Sequence, residues 1–210
     1  MKIIILGAAG AIAQHVTEFL ITNKNIELTL LARNTNHIKQ FANAQTKIIE
    51  GDVLNEKQLN DAIAGKDIVY ANLAGAVDKM ADHIVKALEK NKVNRLIFVT
   101  SLGIYNEVPG KFGEWNNRMI GSVLKTYSKA AEIIEASNLD YTIVRPAWLQ
   151  DEDEVDYETT HKPEPFKGTE VSRKSVGAYI ADIIQHSTKD IRASVGINKP
   201  NTDGNKPSFY

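Results

Sequence analysis

The sequence predicts a doubly wound α/β fold: a parallel sheet with helices on both faces and a small cap toward the C-terminal end. Three observations lead there. Short β-branched or apolar runs alternate with longer stretches of helical period, a glycine-bearing turn follows directly on the first run, and the alternation breaks down only beyond Pro146. The 210 residues are 43% hydrophobic and 24% charged, which suits one domain spanning residues 1–210 around one sizeable core.

In order, residues 2–6, 27–31, 46–49, 67–71, 95–99, 141–144 and 194–197 read as strands. Between them, residues 11–21, 37–42, 56–62, 79–89, 117–136 and 176–184 carry apolar positions at helical spacing, as in Ile84, Val85 and Leu88. The stripe of the longest helix runs through Met119, Ile120, Val123, Leu124, Tyr127, Ala131 and Ile134, which turns Tyr127 toward the protein body and Lys129 toward solvent. Residues 108–116 read as a glycine-bearing loop carrying Trp115. Residues 147–175, with six acids between Asp151 and Glu158, form the predicted substrate-facing cap, and residues 198–210 read as a polar, frayed tail.

Composition excludes several function classes. With 25 Lys+Arg against 26 Asp+Glu and a net charge of −1, no global field draws the chain to nucleic acid or an anionic membrane surface. The absence of cysteine removes thiolate catalysis, disulfides and cysteine-based metal sites. The apolar run Ile3–Leu6 stops at Gly7, short of an export signal or a membrane span, so the sequence predicts a cytoplasmic protein. His15, His37, His83, His161 and His186 show no metal-ligand spacing, and no Gly-x-Ser-x-Gly elbow is present.

The sharpest motif is Gly7-Ala8-Ala9-Gly10-Ala11-Ile12-Ala13, between the first strand and the first helix. Backbone freedom at Gly7 allows the tight turn. A missing Cβ at Gly10 lets a pyrophosphate approach the amides at the positive helix end, and Ala13 keeps helix and sheet close. The dinucleotide contacts are expected on Gly7, Ala9, Gly10, Ala11 and Ile12. The second strand ends Leu31-Ala32-Arg33-Asn34 instead of in an acid, and a guanidinium there can pair with a 2′-phosphate, which predicts NADP over NAD.

With Gly51-Asp52-Val53, Ala71-Asn72-Leu73-Ala74-Gly75, Val99-Thr100-Ser101 and Tyr141-Thr142-Ile143-Val144-Arg145-Pro146 added, residues 1–186 resemble the atypical short-chain dehydrogenase/reductase superfamily in its NAD(P)-binding, NmrA-like branch. The resemblance implies a Rossmann-like sheet. It implies adenine contacts from Asp52 and Val53, backbone beside the riboses at Ala74 and Gly75, cofactor contact at Thr100, and Pro146 with Ala147 flanking the nicotinamide. Ser101 matches the family's active-site serine.

The Tyr-x-x-x-Lys pair common in the wider superfamily is absent, since none of the seven tyrosines has a lysine four residues on. Registering the helix on residues 137–142 puts Tyr127 where many relatives hold their lysine. Tyr127, and Tyr105 in the loop after Ser101, are the candidate proton donors, with core or cap packing as the competing role of each. Trp115 and Trp148 are placed to wall the nicotinamide pocket or to pack a lid. The expected activity is NADP-dependent oxidoreduction of a small carbonyl or quinone-like substrate. A non-catalytic NAD(P)-binding sensor is the alternative, and an epimerase or dehydratase a weaker one. The two long amphipathic helices could pair two copies into a homodimer or simply cover their own sheet.

Overall fold

The computed structural model describes residues 1–210. Ten strands and five helices follow in the order β1 (Lys2–Leu6), α1 (Ala11–Leu20), β2 (Glu27–Ala32), β3 (Thr46–Glu50), α2 (Glu56–Ile63), β4 (Ile68–Ala71), α3 (Val77–Asn91), β5 (Arg95–Val99), α4 (Gly110–Glu135), β6 (Asp140–Pro146), β7 (Trp148–Gln150), β8 (Glu158–His161), β9 (Glu170–Ser172), α5 (Arg173–Gln185) and β10 (Ala193–Asn198). Eight of the strands form one sheet in the order β3-β2-β1-β4-β5-β6-β10-β8, parallel throughout except that β8 runs against β10.

Helices cover both faces of the sheet, which is why its central strands are apolar without alternation. Along β1, Ile3 and Ile5 enter one core while Ile4 and Leu6 enter the other. The first core lies under α1 and α5, through Ile12, Val16, Val176 and Ile180, and the second under α2, α3 and α4, through Leu59, Ile84 and Ile134. This sandwich fixes the strand register and leaves the carboxyl ends of all the parallel strands at one edge, where loops and not secondary structure meet solvent.

The structure revises three expectations about the helices. Residues 36–41 form a 3-10 turn and not an α-helix. Helix α4 begins at Gly110, seven residues before the expected start, so Trp115 sits on a helix. Gly110, at φ +61°, suits the turn into the helix, and the intrinsic cost of Gly113, about 1 kcal/mol, is overridden by burial of Phe112 and Asn116 in the first turns. On the same helix Met119 and Val123 lie about half exposed, so the buried stripe narrows to Leu124, Ala131 and Ile134 with Tyr127 beside it.

Residues 147–175 hold three short strands. β7 and β9 pair in parallel as a separate two-stranded sheet, and β8 adds the antiparallel edge. The acidic run is matched by cations: Asp151 with Arg173, Asp153 with Lys174 and Glu154 with Lys199. The expected frayed tail is instead folded back. The Thr169 hydroxyl donates to the Thr202 carbonyl at 2.7 Å, the Ser208 hydroxyl to the Glu170 carboxylate at 2.8 Å, and the Tyr210 ring packs on two tryptophans. Polar side chains do not imply fraying when buried acceptors such as Glu170 need donors.

Candidate functional site

β1 is the strand at which the order of the sheet reverses, with β2 on one side and β4 on the other, and the glycine turn leaves its carboxyl end there. Gly7 has φ +78°, and a Cβ on it would lie 2.1 Å from the Asn72 carbonyl oxygen, so only glycine makes this turn. The turn is pinned from the next strand, since the amides of Gly7 and Ala8 both donate to the Leu31 carbonyl, at 2.9 and 3.0 Å.

Beyond it, the amides of Ala9, Ala11, Ile12 and Ala13 find no acceptor anywhere in the chain, and Gly10, the N-cap of α1, offers no side chain to fill that role. Four open donors at the positive end of a helix are a ready anion cradle.

In front of them lies a cleft of about 310 Å³. Six of the sequence-predicted cofactor residues line it: Gly7, Ala9, Gly10, Arg33, Asp52 and Ala74. Arg33 makes no ion pair or hydrogen bond within the chain and is exposed at the rim beside Asn34 and His37. Asp52 spends one carboxylate oxygen on the Leu54 amide, at 2.9 Å, which shapes the loop after β3. Val53 stands differently from its neighbour: its side chain is buried in the core under α2, and only its amide, which has no acceptor in the chain, is left for a ligand. Gly75 has φ +96° with open space where a Cβ would be, and its carbonyl accepts from the Val77 amide at the start of α3.

A second cavity, also about 310 Å³, opens over the ends of β5 and β6. Ser101, Leu102, Ala147, Trp148 and Leu149 form its floor and Ile120, Arg173, Phe209 and Tyr210 its sides. The Ser101 hydroxyl has no partner in the chain. Thr100, next to it, is buried and donates its hydroxyl to the Val144 carbonyl at 3.1 Å, and the Pro146 carbonyl receives the Leu102 amide at 3.1 Å. Both residues therefore tie the Ser101 loop to β6.

The three candidate catalytic side chains do not converge. Tyr127 donates its hydroxyl to the Leu73 carbonyl at 3.2 Å, on the wall of the first cleft, and burial raises its pKa. Tyr105 faces a different opening, where its hydroxyl donates to Glu135 at 2.8 Å and Lys162 lies 4.0 Å from its ring centre. Burial, reinforced by Glu135, pushes that phenol well above its ordinary value. Tyr105 thus lies outside the cavity that Ser101 lines, because the loop after Ser101 carries its ring toward Glu135 on α4. The cause is Glu107, whose carboxylate accepts the amides of Gly103 and Tyr105.

Several lining residues were not singled out from the sequence. Asn72, in the Ala71–Gly75 string, packs its amide against Gly10. His37, Arg173, Phe209 and Tyr210 gave no signal, because only the fold brings them to the strand ends.

The profile of the NAD(P)H-binding family matches residues 7–187. Among solved structures, a Rossmann-fold NAD(P)-binding family protein from Shigella flexneri is 48% identical, the match covering 100% of this chain and 98% of that one at a TM-score of 0.86. A short-chain dehydrogenase/reductase from Veillonella parvula, in complex with NADP, is 33% identical over 99% of each chain at a TM-score of 0.93. ChuY, an anaerobillin reductase from Escherichia coli, shares the fold at 19% identity and a TM-score of 0.82, over 97% of this chain and 100% of that one. No curated protein matches the chain. No helix is long and apolar enough to cross a membrane. An anion cradle at the reversal of a parallel sheet, inside a family profile that spans most of the sequence, identifies this chain as a member of the NAD(P)H-binding, Rossmann-fold family of short-chain dehydrogenase/reductase-like oxidoreductases.

Proposed function

We propose that this protein is an NADP-dependent oxidoreductase that reduces a small carbonyl or quinone-like substrate. The observation that carries the reading is the unpaired guanidinium of Arg33 at the rim of the cleft, where an acid would serve NAD. In this reading the open amides of α1 hold the pyrophosphate, Arg33 holds the 2′-phosphate, and Asp52 with the Val53 amide receives the adenine. Ala74 and Gly75 line the path of the riboses, and Thr100 and Pro146 hold the backbone beside the nicotinamide. The bound cofactor supplies a hydride. Ser101 orients the acceptor oxygen by a hydrogen bond, residues 147–175 close over the site as its cap, and Tyr127 is the nearer of the two phenols to the cofactor cleft.

A second reading, a cofactor sensor without turnover, is favoured by one observation: both candidate phenols are engaged by other groups and are made weaker acids by burial. Fluorescence titration of cofactor-free protein with NADPH and NADH, followed by NADPH oxidation over a panel of carbonyls, quinones and flavins, separates the two. Preference for NADPH with turnover is the expected result. Preference without turnover on any acceptor leaves the sensor, and equal affinities return Arg33 to the surface.

A further inference from the structure

We propose that the cavity over β5 and β6 takes a flat, conjugated substrate bearing a carboxylate, with Trp148 and Tyr210 against its ring system and Arg173 on its anionic group. The inference rests on the oxidoreductase reading and narrows its substrate class.

The walls are aromatic and preset. The Trp115 and Trp148 rings lie 4.8 Å apart, and Tyr210 stands edge-on to both, at 5.1 and 5.0 Å. Trp148 cannot turn freely, because its indole N–H donates to Asn116 Oδ1 at 2.9 Å. Yet the cluster is unfinished on the cavity side: Phe209 and Tyr210 are 47% and 50% exposed. Large aromatic side chains left open on the wall of a concave site mark a surface that gains by being covered. A flat π-system covers them best, since it stacks on ring faces and meets ring edges without displacing the cluster. At about 310 Å³ the cavity is at the small end of ligand sites, which suits a compact fused-ring molecule.

Arg173 is the single charged side chain among the lining residues. Its ion-pair partner is Asp151, 2.6 Å away, whose side chain is 83% exposed while that of Arg173 is 29% exposed. A pair this open contributes little and exchanges readily, so a substrate carboxylate can take the place of Asp151. The neighbouring acids Asp153 and Glu154 are held by Lys174 and Lys199. Arg173 is also the first residue of α5, whose positive end favours an anion at the same spot.

In the reaction, the hydride carries two electrons and one proton to the conjugated acceptor, and solvent supplies the second proton to its oxygen. The products are the dihydro compound and NADP⁺.

Of the chain's two tryptophans, Trp148 lines this cavity and Trp115 packs on Trp148 from behind, so intrinsic fluorescence reports its occupancy. The probes are an anthraquinone carboxylate and its uncharged hydroxymethyl analogue, titrated into NADP⁺-saturated protein by fluorescence quenching and calorimetry. The carboxylate is expected to bind at least about tenfold more tightly than the neutral probe. Arg173→Gln erases that difference without weakening the neutral probe, Tyr210→Ala weakens both, and NADPH affinity is unchanged in either variant. Equal affinities of the two probes for the wild-type protein, or an undiminished difference in Arg173→Gln, overturn the proposal. So does absence of probe binding in protein that still binds NADPH, and the cofactor reading then stands. Failure of the wild-type protein to bind NADPH overturns both.

Discussion

On the proposed reading, a single residue sets the specificity of the cofactor cleft. The exposed Arg33 side chain has no partner to give up, so on that reading a contact with a 2′-phosphate would be uncompensated gain. Arg33→Ala is expected to raise the Kd for NADPH by about ten- to hundredfold, the worth of one or two hydrogen bonds to a charged group, and to leave that for NADH nearly unchanged. Parallel titrations of the two cofactors measure it. Far from the site, Asp190 works on stability. Burial alone would raise its pKa, but hydrogen bonds from His161, at 2.9 Å, and Tyr179, at 2.7 Å, together with the charges of His161 and Lys189, outweigh burial and hold it below the ordinary carboxylate value. A depressed native pKa stabilises the fold above the unfolded value of about 4, and that contribution is lost as pH falls through the lower native one. Asp190→Asn should therefore cost about 1–2 kcal/mol at neutral pH and flatten the acid limb of the stability profile. Denaturant unfolding at a series of pH values tests this, and a variant with an unchanged acid limb would remove Asp190 from the account.

At the scale of elements, the Ser101 loop is held by one buried ion pair. Arg145, wholly buried on β6, places one nitrogen 2.6 Å from Glu107 and spends the others on the Ser194 side chain, the Ser194 carbonyl and the Thr160 carbonyl. Glu107 in turn receives the amides of Gly103 and Tyr105. The pair thus fastens the loop after β5 to β6, β8 and β10 at once. Removing one member strands a buried charge, so Glu107→Ala is expected to cost about 3–5 kcal/mol and to slow any turnover that depends on Ser101. Thermal unfolding reads the first effect and steady-state kinetics the second. Sequence alone marked Arg145 only as part of a family-like string, because its partners Glu107, Thr160 and Ser194 come from three separate stretches of chain.

At the scale of the whole molecule, the two clefts lie along one edge of one sheet, over β1, β2 and β4 and over β5 and β6, so an extended dinucleotide could bridge elements from both halves of the chain. Binding of that kind favours the folded state by mass action. NADPH at about a hundred times its Kd should add roughly 2.7 kcal/mol of stability, or about 5–10 °C in melting temperature for a chain of this size. A melting temperature indifferent to NADPH would mean that the fold has outlived its cofactor site.

The sequence by itself determined most of the strand and helix succession through β6, the glycine turn, the placing of Arg33 beside it and the family, because each of these is written in neighbouring residues through periodicity, backbone freedom or local motif. Strand runs such as 2–6 and 95–99 coincide with those of the structure to the residue, since apolar runs between turn signals leave little choice. Only the tertiary structure decided where α4 starts, that residues 198–210 fold back, that Tyr105 turns away from Ser101, and that Trp115, Trp148, Arg173 and Tyr210 meet. Each of those outcomes depends on burial or on a partner distant in sequence. The helix-weakening effect of Gly113 was outweighed by the burial of Phe112, and the polarity of the tail was answered by the buried Glu170 carboxylate. Contacts between residues distant in sequence leave no periodic trace in a single chain, and the cavity over β5 and β6 is built largely from such contacts.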